Sequence, residues 1–501
     1  MRPIGPDDAD RLLGFYHRLS DQSKYFRFFA PHPTLSEREV HRLTHPDYRD
    51  EVGLLAQVGT EMIGLVGYYR LDEAGQAGPQ AGQQVADEPP LAEVAFLIED
   101  AHQQRGLASV LLEHIAAIAW ERGIRRFVAE VLPQNRKMLV VFQAIGYPRQ
   151  VRHEDGIIHC EVDLEPTETF LAVQQAREHR AEARSIARLL APRSVAVIGA
   201  SRTPDTIGHA LLRNLLDAGF TGRLYPVNPH VQAVDGVPAY PSVAAIPGPV
   251  DLAIVAVPAG VVHQVVVECG DKDTHGLIVI SDGFAERGPR GRQRQTRLVQ
   301  LARTHGMRLV GPNCLGVLNT DPQVRLNASV SPIMPEQGRI GVFAQSGALG
   351  IAILETMVQR GLGLSSFVSA GNRADVSAND LLQYWEEDPA TDVILLYLES
   401  VGNPRKFTRL SRRVARTKPV VVVKSGRYGR VGPREHALAA LSLSDEAVDA
   451  VFSQAGALRV PTVAEMFDVA QLLAYQPLPT GDRVAIIGNS DAWACWPMTP
   501  A

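Results

Sequence analysis

The spacing of apolar and polar positions changes character along the chain. Over residues 1–164, helical stretches alternate with runs such as "EVGLLAQVG", "EMIGLVGYYRL", "LAEVAFLIE" and "RFVAEVL", which predict antiparallel-looking strands. In the third run, alternation puts Glu93, Ala95 and Leu97 on one face. A Gly/Gln/Pro-rich insert, "DEAGQAGPQAGQQVADEPP", reads as a solvated hairpin loop. Residues 165–188 are charged and helix-prone, and predict a connecting helix. The strand type then changes. "SVAVIGA", "GRLYPVNP", "DLAIVAVP", "GLIVISDG" and "MRLVGPN" are short, buried-looking runs between helical stretches, the pattern of a parallel, doubly wound sheet over 189–325. "GRIGVFAQSG", "LSSFVSAGN", "VILLYLE" and "PVVVVKSG" begin a second such series over 326–478. Residues 479–501 start another strand and stop almost at once, which predicts the truncated beginning of a further subdomain. The expected fold class is multidomain α/β.

Composition narrows the function classes. A chain of 501 residues with 45 % hydrophobic and 21 % charged residues is ordinary for a globular protein of about three domains. A formal net charge of −5 gives no basic footprint, so no nucleic-acid partner is expected. The four cysteines (Cys160, Cys269, Cys314, Cys495) form no CxxC pair, so no metal site and no disulfide framework are expected. With no apolar leader and no run near the ~20 residues that span a bilayer, the expectation is a cytoplasmic protein without a membrane partner.

Candidate chemistry begins at "HQQRGLASVLL". The turn Gln103-Gln104-Arg105-Gly106-Leu107-Ala108 runs directly into an apolar helix. Amides at a helix start lack intrahelical partners and sit at the positive end of the dipole, so they attract phosphates. Gly106 and Ala108 let the backbone approach such an anion. With Glu93 on the preceding strand and "NRKMLVVFQAIGY" about 30 residues later, this order resembles the GNAT N-acetyltransferases, over the whole first segment. The run "LSDQSKYFRFF" looks like the version found in bacterial protein lysine acetyltransferases. The resemblance implies an α+β fold with the pyrophosphate of acetyl-CoA at residues 103–108 and the pantetheine arm beside Leu97 and Ile98. It counts Asn135 among the cofactor residues and makes Glu93 the general base. A lysine amine with a pKa near 10.4 is only about one part in a few thousand neutral at pH 7, so a base is needed. Seven residues after Asn135, where relatives often carry an acidic tyrosine, stands Phe142, which cannot protonate a thiolate. A thiol with a pKa of ~8.5 leaves readily without it.

In "SVAVIGASRTPDTIGHALLRNLL", Gly199, Ser201 and Gly208 do not spell G-x-G-x-x-G, and "LYPVNPH" puts Asn228 where a dinucleotide site wants an acid. NAD is disfavoured. "GASRTPDTIG", "PVNP", "AVPA" and "GPNCLGVLN", followed by "FAQSGALG", "SAGNRADV", "LYLES" and "VVVKSGR", resemble NDP-forming acyl-CoA synthetases and succinyl-CoA ligase α chains. That implies a Rossmann-like CoA-binding domain with a pocket at Gly199, Ser201, Gly208, Asn228 and Asn313, then a flavodoxin-like ligase domain. Cys314 reads as a packed small residue. The family's mobile phosphohistidine run corresponds to "REHALAALSLSD", where His436 is one residue out of register and the glycines are missing.

Together these features resemble the bacterial Pat-type acetyltransferases, a GNAT domain fused to a degenerate synthetase-like region. The implied function is transfer of acetyl or another short acyl group from acetyl-CoA to lysine ε-amines of a protein partner, an AMP-forming acyl-CoA synthetase, with no metal. The alternative is a subunit of an NDP-forming acyl-CoA ligase carrying an accessory GNAT domain.

Overall fold

The computed structural model describes residues 1–71, 90–144, 146–154, 156–425, 445–477 and 481. The Gly/Gln/Pro-rich insert at 72–89, the run around His436, and the tail with Cys495 lie outside the described residues. The chain divides into two compact units. One comprises residues 1–185 with 263–275 and 297–308; the other comprises 186–262, 276–296 and the chain from 309 on.

In the first unit, strands β1 (Arg2–Pro3), β2 (Glu51–Val58), β3 (Glu61–Arg70), β4 (Leu91–Ile98), β5 (Arg126–Val131), β6 (Arg149–Glu154) and β7 (Ile157–Asp163) form one sheet, ordered β1-β2-β3-β4-β5-β7-β6. All registered pairs are antiparallel except β4 with β5. Helices α1 (Ala9–Arg18), α2 (Asp21–Phe28) and α3 (Glu37–Thr44) precede β2; α4 (Leu107–Glu121) and α5 (Arg136–Ala144) flank β5. The alternation of β4 sorts its side chains as the pattern predicts. Ala92 and Val94 join Leu111, Leu112 and Ile115 of α4 in one core, while Leu97 joins Leu12, Phe15 and Tyr16 of α1 in the other. The predicted connecting helix is present as α6 (Glu168–Leu190). Its Arg177 pairs with Glu113 of α4, a carboxylate that burial pushes above its ordinary pKa range and Arg177 pulls back.

Further along the chain, β8 (Ser194–Ile198), α7 (Ile207–Ala218), β9 (Arg223–Val227), the short hairpin β10 (Ala233–Val234) and β11 (Val237–Pro238), and β12 (Leu252–Val255) follow in order. Next come α8 (Val262–Gly270), β13 (Gly276–Val279), α9 (Pro289–Thr304) and β14 (Arg308–Val310). The first sheet of the second unit runs β14-β13-β12-β8-β9, and β13, β12, β8 and β9 are mutually parallel. Every residue of β8, β12 and β13 is buried, which is why these strands read as continuous apolar runs.

The second sheet of that unit departs from a purely parallel series. It contains β15 (Gly316–Asn319), β16 (Leu326–Ser329), β17 (Gln337–Ala344), β18 (Leu364–Ser369), β19 (Val393–Leu398), β20 (Val420–Lys424) and β21 (Leu458–Arg459), ordered β16-β15-β18-β17-β19-β20-β21. β15 is antiparallel to both neighbours, so "GVLN" lies inside the second sheet, next to the edge strand β16, and does not extend the first. Helices α10 (Gly347–Gln359), α11 (Ala378–Glu387), α12 (Pro404–Val414), α13 (Asp445–Gln454) and α14 (Val463–Tyr475) complete this half. Among the described residues, no helix is long and apolar enough to cross a membrane.

Candidate functional sites in the two units

The first site lies where two parallel strands part. β4 and β5 are in register at three positions, ending at Glu93 opposite Val128. Beyond it the strands open into a cleft of about 810 Å³, lined by Glu93, Leu97, Ile98, Gln103, Gln104, Gly106, Leu107, Ala108, Asn135 and Phe142. Arg105, in the same turn, does not line it. Backbone groups of β4 facing the gap lack a strand partner there, so an extended amide-bearing ligand can supply one.

The cleft ends at the start of α4. Gly106 is the N-cap at φ 82°, preceded by Gln104 at φ 61°, and the first turn of α4 holds no acidic residue. That leaves the positive helix end open to an anion. Two of the anticipated cofactor residues already have structural work. Gln103 donates to Ser23 Oγ at 3.1 Å and to the Ile98 carbonyl at 3.2 Å, and accepts from Lys137 at 3.2 Å, so it stitches the turn to β4. Asn135 accepts from the Met138 amide at 3.3 Å across the start of α5. Phe142 is buried, edge-on to Phe96.

Glu93 is half-buried in the cleft wall and belongs to a row that sequence reasoning missed. Its cross-strand neighbour is Tyr69 on β3, and the neighbour of Tyr69 is Glu51 on β2. Directly opposed residues share a face, so two carboxylates flank one phenol. Burial pushes the Tyr69 phenol up, Arg42 and Arg27 pull it back, and Glu51 and Glu93 push it further. The Arg42 guanidinium stands 5.3 Å over the Tyr69 ring. Burial likewise pushes the Glu51 carboxyl above its ordinary range.

In the second unit, Gly199 ends β8 at φ 91°, and a Cβ there would lie 2.7 Å from the Ala256 carbonyl. A Cβ on Gly208 would lie 1.8 Å from the Gly199 carbonyl. The two glycines let α7 dock on the turn. Ser201 Oγ accepts from Thr203 N at 3.0 Å, and Asn228 donates to the Ala200 carbonyl at 2.7 Å while accepting from His230 N at 2.8 Å. These residues build the turn between strand ends.

A cavity of about 970 Å³ opens beside that turn. Of the anticipated pocket residues only Asn313 lines it, and Gly199, Ser201, Gly208 and Asn228 do not; Cys314, read from the sequence as a packed small residue, also lines it. Its other polar walls are Ser281, Asp282, Glu286, Arg292, Gln295, Thr296, Gln345, Ser346, Asn372, Arg373, Glu399 and Ser400, most of which the sequence did not single out. Ser346 caps α10 by accepting from Leu349 N at 3.4 Å, so the amides of Gly347 and Ala348 begin a helix at the cavity wall. Gln345 accepts from Ser400 N at 2.9 Å and donates to its carbonyl at 2.9 Å, fixing the end of β19 that carries Glu399. Arg373 donates to the Ser400 carbonyl at 2.7 Å, and burial pulls its guanidinium below the ordinary value. Cys314 is buried, its thiol pushed up to about 12 by burial, and donates to the Val279 carbonyl. A thiol of that kind is not a nucleophile at neutral pH.

Comparison with known proteins matches three domains: an acetyltransferase (GNAT) domain at residues 1–148, a CoA binding domain at 193–320, and a succinyl-CoA ligase like flavodoxin domain at 337–473. The α subunit of ADP-forming acetate–CoA ligase I from Pyrococcus furiosus is 41 % identical over 311 residues, covering 61 % of this chain and 67 % of that protein. The chain belongs to the NDP-forming acyl-CoA synthetase family. Among solved structures, the dinucleotide-forming acetyl-coenzyme A synthetase 1 of Ca. Korarchaeum cryptofilum, in complex with phosphate and ADP, is 39 % identical with a TM-score of 0.56, over 59 % of this chain and 64 % of that one. The GNAT domain of S. lividans PAT is 54 % identical over 32 % of this chain and 88 % of that one, with a TM-score of 0.30. This synthetase-family chain spans between 44 % and 67 % of the length of the first curated relatives it matches.

These matches correct one expectation. The Pat-type resemblance implies a protein lysine acetyltransferase with a degenerate synthetase region. Relatives 36 to 46 % identical over about 60 % of the chain are instead ADP-forming acetate–CoA ligases. The CoA binding and ligase-like domains are matched over 193–320 and 337–473, and the cavity of the second unit brings a helix start, carboxylates and amides around one space. CoA is the ligand named by the domain matched at 193–320.

Proposed function

We propose that this chain is the α-type subunit of an NDP-forming acyl-CoA ligase, with the GNAT domain as an accessory acyl-CoA-binding unit. The observation that carries this reading is the 970 Å³ cavity, where the start of α10, Asn313, Arg373 and Glu399 face one another beyond the strand ends. The reaction joins a short carboxylic acid to CoA through an acyl phosphate. The CoA thiolate attacks the acyl carbonyl, the carbon–oxygen bond to phosphate breaks, and phosphate leaves with the electron pair. A helix start stabilises the charge gathering on that phosphate. Glu399 would accept an N–H from a histidine relaying the phosphoryl group, fixing its tautomer. The nucleotide site belongs to a partner chain of the ATP-grasp class. In the first unit, amides of 104–108 hold the pyrophosphate of acyl-CoA, and the edge of β4 near Leu97 and Ile98 takes its pantetheine arm.

The test mixes the purified chain with the β-type chain of an ADP-forming acetate–CoA ligase and supplies acetyl-CoA, ADP and phosphate. ATP and free CoA should form together, and Glu399→Gln should lower kcat by about 100-fold, the cost of losing one preorganised electrostatic group. A folded wild-type chain that yields no ATP with acetyl-CoA or other short acyl-CoAs would overturn the reading.

A further inference from the structure

Three loops wall the cavity of the second unit: 281–287, 311–315 and 371–373. One residue touches all three. The backbone amide of Asn372 donates to the Pro312 carbonyl at 2.9 Å. Its side-chain Nδ2 donates to Glu286 at 2.5 Å and to Gln295 at 3.0 Å, and its Oδ1 accepts from Asn313 at 3.4 Å. Glu286 accepts in turn from the amides of Gly283 and Phe284. Burial pushes this carboxyl up, but the bonds from Asn372 and from backbone amides outweigh it and hold Glu286 below its ordinary range, hence anionic. Asn313 sits at φ 57°, and a Cβ on Gly371 would meet its carbonyl at 2.2 Å, so the loops are in direct contact. Asn372, Asn313, Glu286 and Gln295 all face the cavity.

We propose that Asn372 is a positioning residue: it ties the three loops into one wall and so sets Asn313 at the end of the site that receives the thiol arm of CoA. This rests on the ligase reading. A left-handed asparagine is held only where its surroundings over-determine it, and this network supplies that constraint.

The test is hydrogen exchange on the full chain titrated with CoA, reading peptides spanning 199–208 and 311–316, with 103–109 of the first unit as internal reference. Asn372→Asp sets a carboxylate against Glu286, and Glu286→Gln sets one amide group against another. Each should raise half-saturation at 311–316 by about tenfold, the scale of one charge-assisted hydrogen bond. The double variant restores a donor facing an acceptor between positions 286 and 372, and Gln295, which accepts from Asn372 in the wild type, turns its own amide toward the new carboxylate. The amide introduced at position 286 donates to the carboxylate introduced at position 372, and its oxygen still accepts from the Phe284 amide. Half-saturation should then return to within about threefold of wild type. Melting temperatures are recorded alongside, because a purely structural role lowers them without moving half-saturation. Unchanged half-saturation in the single variants, or no recovery in the double, overturns the proposal while the ligase reading stands. If wild type shows CoA protection at neither 199–208 nor 311–316, the ligase reading itself falls. Should Asn372→Asp not fold, Glu286→Gln and the double variant decide.

Discussion

A methyl group at position 208 would sit 1.8 Å from the Gly199 carbonyl, far inside any contact the fold tolerates. Gly208→Ala is therefore expected to destabilise the second unit by about 3 kcal/mol, the upper range for overpacking, measured by urea unfolding. Electrostatics at the other end of the chain gives a pH-dependent counterpart. Arg2 holds the Asp8 carboxyl well below the carboxylate range against the cost of burial, with help from the Gly5 amide and Arg11. A depressed carboxylate contributes stability that is present above its unfolded value of ~3.9 and lost as pH falls through the folded one. The melting-temperature gap between wild type and Asp8→Asn should hold steady above about pH 5 and shrink towards pH 2. Residue roles were only partly legible beforehand. Gly199, Gly208 and Asn228 stand out in the sequence as pocket residues, and the structure adds the close packing and hydrogen bonds by which they build a turn; Asn372 does not stand out, because its partners lie 59 to 86 positions away.

Among the elements, α4 was readable in advance, since a glycine turn followed by an apolar run is a local signal. Its expected chemistry can be separated from its stability. Ala108 is half-exposed in the first turn, beside the N-cap Gly106. An acid there suits the helix dipole by about 0.5 kcal/mol but repels a pyrophosphate. Ala108→Asp should leave the melting temperature unchanged or higher while weakening CoA binding in the first unit at least about tenfold, read by exchange at 103–109. Strand β15 was less readable. Its apolar run carries no sign of direction, and only pairing with β16 and β18 makes it antiparallel and assigns it to the second sheet.

At the scale of the whole chain, the proposed function gives each unit a CoA site of its own. Calorimetric titration of the full chain with CoA should show two equivalents bound, and Ala108→Asp should leave one at its wild-type affinity and weaken the other at least about tenfold. A single equivalent in the wild type would remove one of the two proposed sites.

The amino-acid order alone determined what depends on near neighbours. Alternation sorted the faces of β4, continuous apolar runs marked β8, β12 and β13 as strands covered on both sides, and glycine turns marked the starts of α4 and α7. Periodicity is a local property, so it survives without knowledge of the fold. Tertiary structure decided the rest: the parting of β4 from β5, the row Glu51, Tyr69 and Glu93 across three strands, and a cavity walled by loops far apart in the chain. Register and long-range hydrogen bonds join residues that share no local pattern, and only the folded chain brings them within about 3 Å of one another.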